Sequence, residues 1–273
     1  MKIISSVNEL KKYLREQKKT IGYVPTMGAL HEGHISLIKA ARKENEIVVV
    51  SIFVNPTQFL AGEDLEKYPR RDEADKKICE LAGVDILSMP TSDELYFNDE
   101  VKIVAPNVRG YVLEGATRPG HFSGVLRVVM KLLNIVNPTH AYFGKKDAQQ
   151  LNLIELMAKH YFLDVKIVPV DTVRDSDGLA LSSRNVYLSK EERQEALKIP
   201  KSLYHASKMI SNGITDTKEI KAAMLLILEP LEVGYVAIVN REFEVVHEVE
   251  IGNCIILVEA LLGSTRLLDN IWL

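Results

Sequence analysis

The chain has 273 residues and a formal net charge of -3, a length typical of one large domain or of two unequal ones. Apolar residues make up 47% and charged residues 26%, as in a globular protein with a real core. The charge argues against a nucleic-acid surface, and no apolar run has the length of a membrane span. The N-terminus has no apolar signal region. Cys79 and Cys254 lack metal-site spacing, which favours reduced thiols in a cytoplasmic protein.

Helical and strand-like patterns alternate along the first 170 residues. Ser6 and Glu9 form a capping-box pattern before a helix at about residues 7–17. Strands are predicted at residues 20–24, 47–54, 84–89, 101–104, 141–143 and 165–170, and helices at about 34–44, 72–81, 122–136 and from 148 onward. Residues 106–120 are predicted to form a loop. The nearly continuous apolar run at 47–54 is typical of a parallel strand covered on both faces. We therefore expect an α/β fold with a mostly parallel, doubly wound sheet.

The last third of the chain has a different pattern. Ser189 with Glu192 and Asp216 with Glu219 are helix-capping pairs, and Pro200 breaks or starts another helix. Strands are predicted at residues 235–239, 243–246 and 255–261. The sequence thus predicts a smaller C-terminal α+β domain, with a boundary near residues 175–188 and domains of 1–180 and 181–273.

The segment from Pro25 to His34 joins a predicted strand to a predicted helix. Gly28 and Gly33 allow the backbone to approach a ligand closely. A helix that begins near His34 directs its free N–H groups and its positive dipole end at this turn, an arrangement that suits a phosphate. His31 and His34 are three residues apart and are expected on one side, where imidazoles can donate to a phosphoryl oxygen.

Other interpretations of this turn fit less well. The zinc-protease motif has its histidines four residues apart, with a glutamate directly after the first, whereas this spacing is three and no third ligand is nearby. The segment also lacks the glycine patterns of the dinucleotide-binding turn and of the P-loop. An isolated histidine is often only a polar surface group.

Three further groups are candidates for anion contacts. Lys146 follows a predicted strand beside Gly144, although a solvated surface lysine is the commoner case. Arg118 lies on a glycine-rich loop and can form either an anion contact or a surface salt bridge. The polar loop at residues 182–185 combines hydroxyls with Arg184, which can bind phosphate or can simply form a turn.

Taken together, these motifs resemble the pantothenate synthetase (pantoate–beta-alanine ligase) family over nearly the full length. The matching segments are Pro25 to His34, Phe53 to Phe59, Tyr68 to Arg70, Arg118 to Phe122, Ala141 to Gln150, Asp177 to Asn185 and Gly263 to Leu267. The histidine turn alone also resembles the wider nucleotidyltransferase superfamily, in which residues 182–185 look like the mobile lysine loop. The resemblance implies a Rossmann-like ATP- and pantoate-binding domain, a C-terminal lid domain and a homodimer.

The resemblance also implies a two-step reaction and a set of site residues. ATP and D-pantoate form pantoyl adenylate and pyrophosphate, beta-alanine then displaces AMP to give pantothenate, and Mg2+ accompanies the ATP. The implied ATP-binding residues are Met27, Gly28, Ala29, Leu30, His31, Glu32, Gly33, His34, Gly144, Lys145, Lys146, Asp147, Val173, Leu181, Ser182, Ser183 and Arg184. The implied catalytic residues are His34, His31 and Lys146. Gln58 and Gln150 match the pantoate contacts, and Gln58 also matches the beta-alanine contact.

Two positions depart from the family pattern, and two other functions compete. The loop from Leu60 to Asp64 stands where a Gly-Pro-Asn-type sequence is usual, and Arg127 stands where a threonine is usual. A different adenylate-forming enzyme on the same scaffold would not need the paired glutamines, Gln58 and Gln150. A catalytically inactive ATP-binding module would not need His31, His34, Lys146 and Arg184 together.

Overall fold

The computed structural model describes residues 1–273, and its contacts divide the chain into two compact units. The first comprises Met1–Lys145 and Gln149–Asp171, and the second comprises Lys146–Ala148 and Thr172–Leu273. The boundary after Asp171 precedes the one that the sequence placed after residue 180. No helix is both long and apolar enough to cross a membrane.

The first unit is built on a six-stranded parallel sheet. Its elements are β1 (Lys2–Ile4), α1 (Val7–Arg15), β2 (Ile21–Thr26), α2 (Glu32–Glu44), β3 (Ile47–Ile52), α3 (Asp72–Leu81), β4 (Ile86–Ser88), α4 (Ser92–Leu95), α5 (Glu114–Thr117), α6 (His121–Val136), β5 (His140–Gly144), α7 (Ala148–His160) and β6 (Lys166–Val170). The strand order is β1-β4-β3-β2-β5-β6, and every pair is parallel. After β2 the chain adds β3 and β4 on one side of that strand, and β5 and β6 then follow on its other side. The switch point of the topology therefore lies between β2 and β5, where ligands bind in sheets of this kind.

The core of the first unit lies between the sheet and its helices. All six residues of β3 are buried, as its apolar sequence predicts for a central strand. Val48 and Val50 pack in one cluster with Ile38 of α2 and Leu87 of β4. The buried hydroxyl of Tyr23 is 2.6 Å from Ser51 Oγ, so this phenol is satisfied inside the sheet.

The second unit combines helices with a small antiparallel sheet. Its elements are α8 (Lys190–Ala196), α9 (Lys198–Ser211), α10 (Thr217–Leu228), β7 (Glu232–Asn240), β8 (Cys254–Leu262) and β9 (Thr265–Trp272), with strand order β7-β8-β9. Ser189 and Glu192 form the predicted capping box, and Asp216 caps α10. Pro200 lies in the first turn of α9, where its missing N–H has no helical partner to lose. The predicted fold class, a doubly wound parallel sheet followed by a smaller α+β part, is confirmed.

Several local predictions are wrong. Ser6 makes no capping hydrogen bond; the N–H of Val7 donates to the distant Glu94 Oε2 at 3.0 Å. Residues 101–104 form no strand, and the side chain of Val101 is 92% exposed. Residues 243–246 form no strand beyond an isolated bridge from Val245 to Val239, and Phe243 has a φ of 62°. Residues 106–120 contain the short helix α5. The edge strand β1 and the last strand β9 were not predicted.

Candidate active site

The candidate site of the first unit lies at the carboxyl edge of its sheet. β2 and β3 pair in parallel from Ile21 with Ile47 to Thr26 with Ile52. Their following segments, residues 27–31 and 53–59, therefore leave the sheet at the same edge. This places the predicted histidine turn beside the predicted glutamine loop, next to the switch point of the topology.

A buried carboxylate shapes the turn after β2. Gly28 and Ala29 both have positive φ, 85° and 51°, a conformation that an alanine rarely adopts. Asp75 of α3, only 1% exposed, accepts hydrogen bonds at 2.8 Å from the backbone N–H groups of Ala29 and Leu30. Burial raises the pKa of the Asp75 carboxyl above its ordinary value, and these two amides act in the opposite direction.

The two histidines of the turn cap the helix that follows. His31 is the N-cap residue of α2, and its Nδ1 accepts from the N–H of Gly33 at 3.2 Å. Nδ1 of His34 accepts from the N–H of His31 at 3.3 Å, and the ring centroids are 4.2 Å apart. Because each Nδ1 faces an obligate donor, the neutral rings carry their protons on Nε2. Gly33 is needed here, since a Cβ would lie 2.9 Å from Cε1 of His31.

The expected free amides of this helix N-terminus are largely occupied, so that part of the sequence prediction is wrong. Ala29 and Leu30 donate to Asp75, His31 and Gly33 donate to imidazole nitrogens, and the N–H of His34 donates to the carbonyl of His31. The side-chain donors of the turn are the Nε2–H groups of the two neutral histidines, since each Nδ1 accepts an N–H.

The loop after β3 brings Gln58 to this turn. Gln58 Oε1 accepts from Asn55 Nδ2 at 3.0 Å, and Gln58 Nε2 lies 3.2 Å from the sulfur of Met27. Gln58 is 9% exposed, so its side chain is buried at the carboxyl edge of the sheet. The structure thus joins two of the sequence-predicted site residues, Met27 and Gln58.

The backbone of Gln58 is held by a second set of groups. Its carbonyl accepts from Nδ1 of His121 at 2.7 Å and from the guanidinium of Arg118 at 3.3 Å. Arg118 is 8% exposed and forms a two-pronged ion pair with Glu63, at 2.6 and 2.5 Å. Arg118 is therefore in a buried ion pair, neither a surface salt bridge nor an open anion contact. The unusual loop after Phe59 supplies its partner.

Helix α6 approaches this loop closely. The carbonyl of Gly124 accepts from Asn55 Nδ2 at 3.2 Å, and a Cβ at Gly124 would collide with the carbonyl of Thr57. Only glycine allows the helix backbone to pack directly on the loop.

Two adjacent glutamines at the start of α7 have opposite environments. The side chain of Gln149 is buried and bonds to the backbone of Arg109, Val112 and Glu114. Gln150, the predicted pantoate residue, is half-buried, and its amide has no hydrogen-bond partner within the protein. Gln150 therefore has its donors and acceptor available to a ligand, whereas Gln149 does not.

The predicted lysines after β5 belong to different units. Lys145 pairs with Asp171 at 2.5 Å in the first unit. Lys146 pairs with Asp147 at 3.1 Å in the second unit, where its carbonyl accepts from Asn270 Nδ2 at 2.7 Å. Each lysine therefore keeps an acidic neighbour.

The other predicted ATP residues form one anchored loop of the second unit. The N–H of Leu181 donates to the carbonyl of Val173 at 3.0 Å, and Ser182 Oγ accepts from the N–H of Arg184 at 3.2 Å. Between them, Arg174 forms a two-pronged ion pair with the buried Asp269, at 2.6 and 2.9 Å. The structure thus brings Val173 together with Leu181, and it places residues 182–184 at the start of a 3₁₀ turn.

Two groups of this site were missed in the sequence. Asp75 lies four residues before the buried Cys79 on α3 and so shares its buried face, which was a detectable signal. Tyr96, whose hydroxyl donates to Asn55 Oδ1 at 2.6 Å, follows a short helix in an irregular stretch and gives no comparable signal. No cluster of three or more His, Cys, Asp or Glu side chains could hold a metal ion.

Comparisons with known proteins agree with this geometry. A family model described as pantoate-beta-alanine ligase matches residues 2–272. The chain is 66% identical to a pantothenate synthetase of Sulfurimonas denitrificans and 57% identical to one of Aliarcobacter butzleri, in each case over the whole of both chains.

Solved structures show the same relationship. The structure of pantothenate synthetase from Thermus thermophilus is 40% identical, with a TM-score of 0.95 and 99% of both chains covered. That of a pantoate-beta-alanine ligase from Francisella tularensis, complexed with beta-gamma ATP and beta-alanine, is 35% identical, with a TM-score of 0.82 and coverage of 100% of this chain and 97% of that one. The chain belongs to the pantoate–beta-alanine ligase family.

Proposed function

We propose that the protein catalyses the ATP-dependent condensation of D-pantoate with beta-alanine, giving pantothenate, AMP and pyrophosphate through pantoyl adenylate. The observation that carries this function is the pairing of the histidine turn with Gln58 through Met27 at the switch edge of the sheet, in a chain matched end to end by the family. The fold alone hosts many reactions, so the site, rather than the fold, supports this assignment.

The first step joins a carboxylate to a phosphate. A carboxylate oxygen of pantoate bonds to the α-phosphorus of ATP, and the bond from that phosphorus to the bridging oxygen of pyrophosphate breaks. Both reactants are anions, so the site must align them and offset the charge that builds on the α-phosphoryl oxygens. In the second step the amine of beta-alanine attacks the acyl carbon, loses a proton and expels AMP. Neither step needs a protein nucleophile.

His31 and His34 suit the first step because each neutral ring carries its donor proton on Nε2. We assign both to phosphate contacts and His34 to the role of proton donor. By analogy with other preorganised donors, each can contribute about 2–4 kcal/mol to transition-state stabilisation. Their rings are held by the backbone of the turn, with Nδ1 of each accepting an N–H, so little reorganisation is needed when charge develops.

The amides of Gln58 and Gln150 suit the acid substrates. A neutral amide can bind a hydroxyl or carboxylate oxygen without the tight two-pronged ion pair of an arginine, which leaves the carboxylate reactive. We assign both glutamines to pantoate, and Gln58 also to beta-alanine. In keeping with this assignment, Gln150 makes no other hydrogen bond and Gln58 lies against the histidine turn.

The remaining ATP contacts are proposed from the family pattern. They are residues 27–33 of the turn, Gly144 to Asp147, Val173, and Leu181 to Arg184. Lys146 would add a positive charge for the phosphates. The first unit is the proposed ATP- and pantoate-binding domain, and the second is the proposed lid domain. We also propose a cytoplasmic homodimer, as in the family.

Mg2+ is the expected companion of ATP. Mg2+ typically binds substrate phosphates, waters and one or two carboxylates rather than a cage of protein ligands. The lack of a cluster of three or more metal-binding side chains fits that mode, in which Asp147 could supply an oxygen. The ion would neutralise phosphate charge, and the steps above depend on the protein residues named for them.

The test is an assay with ATP, Mg2+, D-pantoate and beta-alanine in which AMP and pantothenate are measured. We expect AMP and pantothenate in equal amounts only when both acids are present. Pyrophosphate exchange with a different acid, and none with pantoate, would indicate another adenylate-forming enzyme. ATP binding without turnover would indicate an inactive nucleotide-binding module.

A further inference from the structure

A relay of hydrogen bonds runs beneath Gln58. The hydroxyl of Tyr96 donates to Asn55 Oδ1 at 2.6 Å, and Asn55 Nδ2 donates to Gln58 Oε1 at 3.0 Å. Asn55 is 1% exposed, so this chain is shielded from solvent competition. Buried polar groups of this kind specify one arrangement when all their partners are satisfied.

The direction of the Asn55 amide is fixed by two groups that cannot change roles. The backbone N–H of Thr57, which can only donate, faces Asn55 Oδ1 at 3.3 Å. The carbonyl of Gly124, which can only accept, faces Asn55 Nδ2 at 3.2 Å. Exchanging the oxygen and nitrogen of Asn55 would therefore set a donor against a donor and an acceptor against an acceptor.

The direction of the Gln58 amide follows from that of Asn55. Since Asn55 presents an N–H to Gln58, the atom of Gln58 that faces it must be the acceptor Oε1. The Nε2 group is then directed away from Asn55, and its contact within the protein is the sulfur of Met27 at 3.2 Å, a weak acceptor. Gln58 therefore presents donors, rather than its acceptor, to a ligand.

Two cations contact Tyr96 at the end of this relay. Its ring centroid lies 4.8 Å from the guanidinium carbon of Arg127 and 5.0 Å from Nζ of Lys131. Both cations pair with Glu100, so Arg127, which departs from the family pattern, supports the ring. Burial raises the pKa of the Tyr96 phenol, and the hydroxyl therefore remains a proton donor at neutral pH.

We propose that Tyr96 is a positioning residue for the acid substrate: its bond to Asn55 Oδ1 restrains the Asn55 amide, whose direction the backbone sets, and so holds Gln58 where it recognises an acceptor oxygen of that substrate. The inference rests on the proposed function for the identity of the acid. The direction of the two amides follows from the protein alone. Tyr96 itself need not touch the substrate.

The kinetic test is the Tyr96→Phe substitution, which removes the hydroxyl and keeps the ring. We expect the KM for D-pantoate to rise about 3- to 10-fold, the effect of loosening one hydrogen bond, while the KM for ATP stays within about twofold. Tyr23→Phe is the matched control, because it also removes a buried hydroxyl, one that bonds only within the sheet to Ser51. It should leave the KM for pantoate unchanged even where it lowers stability. An unchanged KM for pantoate in Tyr96→Phe, or an equal rise in both KM values, would overturn the proposal.

A second measurement needs no substrate. In protein labelled with nitrogen-15 at Asn and Gln side chains, solvent exchange of the amide protons is followed by NMR, with the signals of Asn55 and Gln58 assigned from Asn55→Ala and Gln58→Ala. We expect slow exchange for the Asn55 NH2, whose protons are both bonded, and faster exchange for the Gln58 NH2 and for the exposed Asn8. Tyr96→Phe should speed up the exchange of Asn55 alone.

The two measurements separate the two ideas. A wild-type protein that makes no pantothenate but protects the Asn55 amide would refute the proposed function and leave the amide direction intact. An Asn55 amide that exchanges as fast as Asn8 would refute the relay, whatever the activity of the wild type.

Discussion

The carboxylate of Asp75 holds Ala29 in a left-handed backbone conformation. Asp75 Oδ2 lies 2.8 Å from the nitrogen of Ala29, whose φ is 51°. The other oxygen takes the N–H of Leu30 at the same distance. Two charge-assisted hydrogen bonds of this kind offset the strain of a non-glycine residue at positive φ.

Asp75→Asn should weaken the turn. An asparagine can accept only through its oxygen, so its NH2 would face one of the two backbone donors. We expect a loss of about 1–3 kcal/mol in the free energy of unfolding, measured by urea denaturation, and a higher KM for ATP. Asp72→Asn is the control, because Asp72 is exposed on the same helix, and it should lose less than about 1 kcal/mol. Equal effects of the two substitutions would contradict this role of Asp75.

Substitutions of the two neighbouring glutamines of α7 should affect stability and substrate binding separately. Gln149→Ala removes three buried or partly buried hydrogen bonds to backbone and should destabilise the protein by about 2 kcal/mol or more. Gln150→Ala removes none and should leave the melting temperature nearly unchanged while the KM for pantoate rises roughly tenfold. Thermal unfolding and initial rates measure the two effects. A stability loss in Gln150→Ala without a change in KM would refute its binding role.

The two roles of His31, helix capping and hydrogen-bond donation, can be tested separately. In His31→Asn the side-chain oxygen can still accept the N–H of Gly33, because asparagine is a favourable N-cap residue, but the Nε2–H donor is lost. We expect stability within about 1 kcal/mol of the wild type and a fall of roughly 10²-fold or more in adenylate formation. His31→Ala should lose both. Pantoate-dependent release of pyrophosphate and urea denaturation provide the readouts. Wild-type rates in His31→Asn would remove the donor role.

His34→Ala should lower adenylate formation by about 10²- to 10³-fold, the effect of losing one preorganised donor. The fold should persist, because His34 lies on the first turn of α2 and is half-buried rather than in the core. Circular dichroism and pantoate-dependent release of pyrophosphate measure the two properties. Activity close to that of the wild type would contradict the assignment of His34 as the proton donor.

The two thiols should be unreactive in the folded protein. Cys79 and Cys254 are both fully buried, and burial raises the pKa of the Cys79 thiol to about 12. The thiolate is the reactive form, so a chromogenic disulfide reagent at about pH 8, near the ordinary pKa of a free thiol, should detect no fast thiol in the native state. Both thiols should react at once in guanidinium chloride. A fast reaction of the native protein would show that the core around one of the two cysteines opens readily.

The sequence predicted the central elements of the fold because their signals are local. The apolar run at residues 47–54 identifies β3, and the pair Ser189 and Glu192 identifies the start of α8. The three residues of β1 are strand only because β4 lies beside them, and Val7 is capped by Glu94, which is 87 residues away. Such long-range partners cannot be found from periodicity.

The distinction between local signals and long-range partners applies to the site as well. The histidine turn and Gln58 were identified from their motifs, and the structure places Gln58 against Met27 of that turn. The free N–H groups expected at the start of the helix were predicted wrongly, because His31 accepts those of Gly33 and His34. The acceptor of the Ala29 amide could not be found locally, since Asp75 lies on a helix 46 residues further along the chain. Arg118 could not be assigned either, since its partner Glu63 belongs to another loop.

The occupied amides of residues 29–31, 33 and 34 have a consequence for how nucleotide would bind. Because these N–H groups already have acceptors in the free protein, the segment does not have to exchange backbone partners when a phosphate arrives. Its loss of conformational freedom occurs during folding rather than during association, and association with a preorganised segment retains more of its contact energy as affinity.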